Sequence, residues 1–288
     1  MSVLTLRSEA MEAEIVPDIG GGLAAFRWQG QNVMRSASAT TLAAGDPLGL
    51  AMFPLVPWSN RIAQGRFSQV GLDVALPGNL GDHPHAIHGH GWQRPWSVVE
   101  ASETMVTLTY DHAADAWPWA YRAKLHYRLT TSGLETRLSV ENRAETPMPA
   151  GLGLHPYFQR RPQMQVHARL DGWWETDADV LPTQHRACGE RTDWSELLLK
   201  GRTIDTVFTG WDGSAKLVWP EADLALRMTA SNTARWLVIY APQSEAIICL
   251  EPVTHPTNAL NQRGQPGIKM LEPGESTELL LRLEPGRC

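Results

Sequence analysis

The sequence predicts an all-β protein whose antiparallel strands form one continuous domain. Residues 124–129 alternate polar and apolar side chains, residues 131–133 turn the chain, and residues 134–141 alternate again on the return. This is the pattern of an antiparallel hairpin with one solvated face. Elsewhere short apolar runs end at glycine or proline, as they do at Gly20-Gly21-Gly22. We therefore expect strands throughout, with few and short helices.

The length of 288 residues allows one large β domain or two ordinary ones. No linker, low-complexity segment or internal repeat divides the chain, so we predict a single domain over residues 1–288. The best helix candidate is residues 194–200, with Asp193 as its N-cap and Gly201 just after it.

The composition limits the kinds of partner that the protein is expected to bind and the cellular compartment in which it is expected. A formal net charge of -6 offers no basic surface for nucleic acid. Neither an 18-residue apolar run nor a signal-peptide pattern is visible, so we expect a soluble protein that is not bound to a membrane. The three cysteines form no CxxC pair, which favours a reducing cytoplasm. The 12 tryptophans offer flat faces suited to sugars, and equally to a large core.

Two prolines hold the segment FPLVPWSNR, residues 53–61, in an extended conformation ahead of Asn60 and Arg61. The guanidinium of Arg61 has five donors and no acceptor, which suits sugar hydroxyls or a carboxylate. A surface ion pair is the alternative interpretation of this arginine.

The segment HPHAIHGHGWQRPW, residues 83–96, contains four histidines within eight residues: His83, His85, His88 and His90. Histidines two apart on a strand share a face and could hold a transition metal. A cupin-like metal site would place a glutamate soon after the paired histidines, and the first one here is Glu100. The other interpretation is a loop in which His88, before Gly89, lines a pocket.

Three further polar residues stand beside prolines or within apolar runs. His155 precedes Pro156, so its backbone is biased to the extended form, and its ordinary pKa near 6.5 suits a positioned acid. Glu251 ends the apolar run 246–250, and a carboxylate buried there would have the raised pKa of a general base. Asp205 could accept substrate hydroxyls or cap a turn. The structural alternatives are a buried histidine bonded to a carbonyl group and a glutamate that marks where a strand meets water.

These side chains point to proton transfer. Two imidazoles and a carboxylate without a serine or cysteine nucleophile motif favour acid–base rather than covalent chemistry. Asp205 and Glu251 could also supply the two carboxylates of a glycoside hydrolase, so that reading stays open.

The order of these motifs resembles the aldose 1-epimerases, or galactose mutarotases. The matching motifs run through nearly the whole chain and are most similar to shorter bacterial homologues: Asn60-Arg61, His88-Gly89, His155-Pro-Tyr-Phe, Asp205-Thr-Val-Phe, Glu251 and Asn258-Ala-Leu-Asn. The resemblance implies a large twisted antiparallel β-sandwich, a sugar bound in an open cleft, and no cofactor or metal. A monomer or a homodimer would be compatible with it.

By this resemblance Glu251 is the base that takes the proton from the C1 hydroxyl, and His155 is the acid that protonates the ring oxygen. His88 would bind near the ring oxygen, while Arg61, Asp205 and the adjoining Asn60 would hold other hydroxyls. The implied activity interconverts the α and β anomers of a free aldohexose such as galactose or glucose.

Because the sequence departs from the galactose enzymes at several positions, the resemblance does not determine which sugar is the substrate. His90 replaces a glycine, Pro156 replaces a small polar residue, and Pro252 replaces a glutamine. The arginine of the hexose 6-phosphate version is not matched in register, since Trp92 stands there and Arg94 comes later. That version and a non-catalytic carbohydrate-binding protein remain the alternatives.

Overall fold

The computed structural model describes residues 2–189, 192–195 and 203–288, and it confirms the predicted β-rich fold. In chain order the strands are β1 (Leu4–Arg7), β2 (Met11–Val16), β3 (Gly22–Trp28), β4 (Gln31–Asn32), β5 (Met52–Leu55), β6 (Arg61–Ile62), β7 (Arg66–Gln69), β8 (Leu72–Ala75), β9 (Ala86–Ile87), β10 (Ser97–Ala101), β11 (Met105–His112), β12 (Tyr121–Leu129), β13 (Leu134–Asn142), β14 (Met148–Ala150), β15 (Gly153–Gln159), β16 (Gln165–Ala168), β17 (Gly172–Thr176), β18 (Pro182–Ala187), β19 (Ile204–Thr209), β20 (Ser214–Trp219), β21 (Leu224–Ala230), β22 (Trp236–Ala241), β23 (Ile247–Val253), β24 (Lys269–Leu271) and β25 (Ser276–Gly286).

Helices are short in the described part of the chain. Helix α1 (Ala39–Ala44) begins after Ser38, whose hydroxyl accepts a hydrogen bond from the Thr41 amide, and ends at Gly45 in the left-handed conformation. Most of the helix predicted at residues 194–200 lies outside the described residues. The single-turn 3₁₀ helices are Pro47–Gly49, Ala63–Gly65, Gly91–Gln93, Pro220–Ala222 and Ala259–Asn261.

Two large antiparallel sheets dominate the described structure, and three two-stranded sheets, β14-β24, β6-β9 and β7-β8, accompany them. The larger has the order β1-β2-β3-β5-β15-β23-β22-β19-β17-β18, with β4 beside β3. The smaller has the order β10-β11-β12-β13-β25-β21-β20-β16. The predicted hairpin is confirmed as β12 and β13, which pair from Tyr121 with Asn142 to Leu129 with Leu134.

The main core lies between the two sheets. Alternate residues of the smaller sheet, such as Leu125 and Leu138, pack in one apolar cluster with Phe158 and Leu250 of the larger sheet. Burying each such side chain contributes about 1.5–3 kcal/mol relative to leaving it exposed. This layer holds the larger sheet rigidly from behind.

A second apolar cluster covers the other face of the larger sheet. It includes Phe53, Tyr157, Val207, Val238 and Cys249, from five neighbouring strands. Strand β23 is therefore buried along its whole length, which explains its continuous apolar sequence. Within that run Glu251 is the exception. Among the described residues, no helix has the length and apolar character needed to cross a membrane.

Candidate active site

His155 and Glu251 meet across two paired strands. Strand β15 pairs with β23 through Gly153 with Val253 and Tyr157 with Cys249, so position 155 falls opposite position 251. The His155 Nε2 atom lies 3.3 Å from Glu251 Oε1, and both side chains are buried. Strand β23 continues to Val253, so Glu251 does not mark the point where the strand meets water.

Burial dominates the electrostatics of this pair. It raises the pKa of Glu251 well above its ordinary value, and the neighbouring Asp205 raises it further while Arg61 opposes the shift. Burial lowers the pKa of His155 to about 3, and the charges of Arg35 and Arg61 act in the same direction. The expectation that His155 titrates near 6.5 is therefore wrong, because the ring is desolvated. The pair favours a state with one proton, carried by Glu251, and a neutral imidazole.

Each member of the pair keeps one polar atom without a hydrogen-bond partner among the described residues. These atoms are His155 Nδ1 and Glu251 Oε2, and both are inaccessible to solvent. A buried polar atom without a partner costs about 1–3 kcal/mol. Natural structures keep few such atoms, and those at a functional site are explained by what binds or reacts there.

Arg61 and Asp205 form an ion pair beside the acid–base pair. The Arg61 Nη2 group donates to Asp205 Oδ2 at 3.0 Å, and both side chains are partly buried. Asp205 lies on β19, so it does not cap a turn. The Asn60 side-chain oxygen accepts hydrogen bonds from the Arg61 backbone amide and from Nη1, at 2.9 and 3.2 Å. Asn60 thus fixes the direction of the arginine.

Three imidazoles hold the segment 59–64 that carries Arg61. Each accepts a hydrogen bond from a backbone amide of the segment. The pairs are His255 Nε2 with Ser59 at 3.0 Å, His88 Nδ1 with Asn60 at 3.1 Å, and His85 Nδ1 with Gln64 at 3.0 Å. We call these three the histidine clamp. No local pattern marks His255 in the sequence, because its partner lies 196 residues away along the chain.

The backbone conformation explains why glycine follows His88 in the His88-Gly89 motif. Both residues have positive φ, +62° and +70°. A Cβ atom at position 89 would lie 1.9 Å from the carbonyl oxygen of Val56, so only glycine fits there. Because His88 Nδ1 accepts a hydrogen bond, the neutral ring carries its proton on Nε2, as a donor next to His155.

The histidine-rich loop does not form the metal site considered from the sequence. His85 Nδ1 is bonded to Gln64, and Arg61 Nε lies 3.3 Å from His83 Nε2. The described residues do bring His90, His112 and Asp115 within 4.8 Å of one another. However, the rings of His90 and His112 stack at 4.4 Å with 4° between their planes, and the in-plane lone pairs of stacked rings do not converge on one ion.

A cavity of about 300 Å³ contains the acid–base pair, and all six site residues predicted from the sequence line it. That volume lies at the lower end of the range for small-molecule sites. A larger cavity of about 560 Å³ near Trp173 shares Asp205 but contains neither member of the pair. The lining of the smaller cavity is Arg35, Leu48, Asn60, Arg61, Leu80, Ile87, His88, His155, Tyr157, Asp205, Tyr240, Glu245, Ile247 and Glu251.

Some lining residues were missed by the sequence analysis. Arg35, Tyr240 and Glu245 come from a connecting segment, a strand and a loop with no motif of their own. Tyr157 stands within the His155 motif, and the alternation of β15 places it on the same face as His155. This alternation along the strand was the feature of the sequence from which Tyr157 could have been placed beside His155.

The fold and the site together define a β-sandwich protein with a buried histidine–glutamate pair in a small cavity. Residues 2–284 match the family model for aldose 1-epimerase, and the chain belongs to that family. The resemblance inferred from the motifs is thus confirmed, as is the sandwich architecture.

Several known proteins are similar over their whole length. The uncharacterized Escherichia coli protein YphB is 28% identical over 295 residues, which cover 99% of each chain. The crystal structure of a candidate aldose 1-epimerase from E. coli K12 superposes with a TM-score of 0.90 at 25% identity, covering 100% of this chain and 99% of the other. A galactose mutarotase-like protein from Clostridium acetobutylicum shares the fold, with a TM-score of 0.86 at 22% identity and coverages of 99% and 95%.

Proposed function

We propose that the protein is a cofactor-independent aldose 1-epimerase that interconverts the α and β anomers of a free aldohexose such as galactose or glucose. The observation that carries this proposal is the 3.3 Å contact between His155 Nε2 and Glu251 Oε1 at the cavity. Ring opening of an aldose requires one group that removes a proton and one that delivers a proton. This pair supplies both within reach of one sugar ring.

In the proposed reaction the Glu251 carboxylate removes the proton from the C1 hydroxyl. A carbonyl group forms at C1 as the bond from C1 to the ring oxygen breaks, and His155 delivers a proton to that oxygen. Rotation about the C1–C2 bond exposes the other face of the carbonyl. Reclosure with the two roles reversed gives the other anomer and returns both protons.

The protonation of the pair fits this cycle. The neutral state, with Glu251 protonated and His155 neutral, and the ionic state, with a carboxylate and an imidazolium, contain the same number of protons. A small decrease in the 3.3 Å distance between Nε2 and Oε1 would let the proton pass between the two groups without exchange with solvent. The resting pair therefore needs only an internal proton shift to reach the state that acts on the sugar.

The remaining cavity residues would bind the sugar. The Nε2–H of His88 would donate near the ring oxygen, while Arg61 and Asp205 would bind hydroxyls as donor and acceptor. Asn60 lines the cavity and also orients Arg61, so its effect would be partly indirect.

A free sugar is favoured over a hexose 6-phosphate. Arg94 does not line the cavity; its charge acts instead on His90 and His112. Arg61 is already paired with Asp205, and Arg35 donates its side-chain hydrogen bonds to backbone carbonyl oxygens. Glu245 adds a third carboxyl group to the cavity wall, beside Asp205 and Glu251. We also propose that the protein acts in the cytoplasm as a monomer or homodimer.

Anomer interconversion tests the proposal directly. Polarimetry or NMR exchange would be run on free and 6-phosphorylated aldoses, with Glu251→Gln as the matched control. Acceleration of at least one free aldose by the native protein and not by the variant is the expected result. Binding of a sugar without acceleration would instead favour a carbohydrate-binding protein. Acceleration of phosphorylated sugars alone would overturn the choice of substrate.

A further inference from the structure

A column of stacked groups runs from the cavity wall to the acid–base pair. The guanidinium carbon of Arg35 lies 3.8 Å from the centroid of the Tyr157 ring. The His155 ring is 4.6 Å from the same centroid, with only 12° between the two planes. A guanidinium and an imidazole this close to one centroid would overlap on the same face, so they occupy opposite faces of the tyrosine.

Arg35 is fixed in this position by the backbone. Its amide donates to the Tyr157 carbonyl oxygen at 2.9 Å, and its Nε donates to the Leu50 carbonyl oxygen at 3.1 Å. The Nη2 group reaches the carbonyl oxygens of Leu48 and Leu50. Among the described residues no carboxylate forms a salt bridge with Arg35. A fixed and uncompensated positive charge therefore stands beyond the tyrosine.

Other groups around His155 set the electrostatic background. Glu251 faces it from β23, and His88 contacts it edge to face at 5.3 Å. Burial holds the pKa of His88 well below its ordinary value, so that ring adds no charge. Arg61 is the second nearby cation, but Asp205 neutralises it in an ion pair. Phe53 closes the remaining face without charge. Arg35 is thus the unpaired cation that acts on His155.

We propose that Arg35 is a positioning residue that acts through the Tyr157 ring to keep the proton of the acid–base pair on Glu251 rather than on His155. The electrostatic effect of Arg35 is inferred from the stacked geometry. Its effect on catalysis rests on the proposed function. Moving the proton breaks the Glu251 O–H bond and forms a His155 N–H bond, which would place a second cation against the tyrosine. Repulsion from Arg35 opposes that shift in the resting site, and the hydroxyls of a bound sugar would stabilise the ionic state.

Ring nitrogen shifts test the inference without any substrate. Protein with ¹⁵N-labelled histidine would be titrated downward from pH 7 as wild type, Arg35→Met, Arg35→Gln and Arg35→Lys, with His155→Asn to assign the signals. Loss of the charge in Arg35→Met and Arg35→Gln should raise the pH at which the His155 shifts move to those of imidazolium. The change corresponds to about one pKa unit, or roughly tenfold in the ratio of the two proton positions. Arg35→Lys keeps the charge and should shift less.

Kinetics add a second readout. In Arg35→Met the acid limb of the pH–rate profile should move up by about one pH unit. Circular dichroism would show that each variant is folded. An unchanged His155 titration midpoint in both neutral variants, or equal changes in Arg35→Met and Arg35→Lys, would overturn the inference. A protein with no epimerase activity but with the expected shifts would overturn the proposed function and leave the role of Arg35 standing.

Discussion

His155 and Glu251 stand opposite each other on β15 and β23, with 3.3 Å between Nε2 and Oε1. Side chains that oppose each other on paired antiparallel strands have their Cβ atoms about 4.5–5.5 Å apart. The sheet itself therefore sets the spacing of the pair, and the core behind it prevents adjustment. Reacting groups held on rigid strands need little reorganisation when a substrate arrives.

Replacing Glu251 with glutamine should lower activity strongly and leave the fold intact. General acid–base catalysis by a positioned group is typically worth about 10²–10⁴-fold, and we expect a loss of that size in kcat. The amide keeps the volume of the side chain and removes a buried group that can ionise.

Thermal unfolding of the same variant gives a second check. The raised pKa of Glu251 means that the folded state binds this proton more tightly than the unfolded state. Its contribution to stability is present at low pH and is lost as pH rises toward the folded pKa. The Tm of Glu251→Gln relative to wild type should therefore increase between pH 5 and pH 9. A relative Tm that falls with rising pH would contradict this assignment.

The pH–rate profile should follow the single proton of the pair. Above the raised pKa of Glu251 the pair loses that proton, and near pH 3, the pKa of His155, it gains a second. Activity should therefore be independent of pH between these two pKa values and fall above the pKa of Glu251. Initial rates corrected for spontaneous mutarotation, measured from pH 5 to pH 10, would show this. A catalysed rate that climbs steadily through pH 10 would mean that Glu251 works as an isolated base.

Much of the site was accessible from the sequence because its residues interrupt local patterns. Glu251 breaks an apolar run and His155 precedes a proline, and the structure brings both into one cavity with Arg61. The strand alternation of residues 124–141 likewise gave the β12–β13 hairpin directly.

The parts that escaped prediction depend on contacts between distant segments. The His255 bond to Ser59 spans 196 residues, and the Arg35 contact with Tyr157 joins segments with no shared motif. The depressed pKa of His155 follows from burial by the whole fold, which no local pattern encodes. The density of histidines was visible, but their use as acceptors for the backbone of segment 59–64 was not.

Replacing Asp205 with asparagine should move the alkaline limb of the profile to lower pH. The Asp205 carboxylate raises the pKa of Glu251, so removing its charge lowers that pKa. The same change leaves the partly buried Arg61 guanidinium without its ionic partner. We expect KM to rise about 10-fold or more, as a lost charged hydrogen bond costs about 1.5–3 kcal/mol. Steady-state kinetics at several pH values would measure both effects.

Thr206→Ser provides a neighbouring control on β19, since it keeps a hydroxyl and changes no charge. An alkaline limb that stays in place in Asp205→Asn, or that moves equally in the control, would argue against electrostatic coupling between Asp205 and Glu251.

The histidine clamp should make segment 59–64 sensitive to acid, and His255 is the clearest case. Burial lowers the pKa of His255 to about 4, and the hydrogen bond to the Pro256 carbonyl oxygen opposes the shift. A ring protonated at Nε2 could no longer accept the Ser59 amide hydrogen. The depressed value means that its stabilising contribution is complete above the ordinary pKa of 6.5 and is lost as pH falls toward 4. The full effect is about 3 kcal/mol in the free energy of unfolding.

Two variants separate the hydrogen bond from the titration. In His255→Gln a side-chain oxygen can replace Nε2 as the acceptor and does not titrate, whereas His255→Leu removes the acceptor. Denaturant unfolding between pH 4 and pH 8 should show that His255→Gln loses less stability on acidification than wild type. His255→Leu should be less stable than His255→Gln at pH 8, with a raised KM because Arg61 is carried by the same segment. If wild type and His255→Gln lose stability in parallel as the pH falls, the acid sensitivity arises elsewhere and His255 serves only to fill the space beside Gly151.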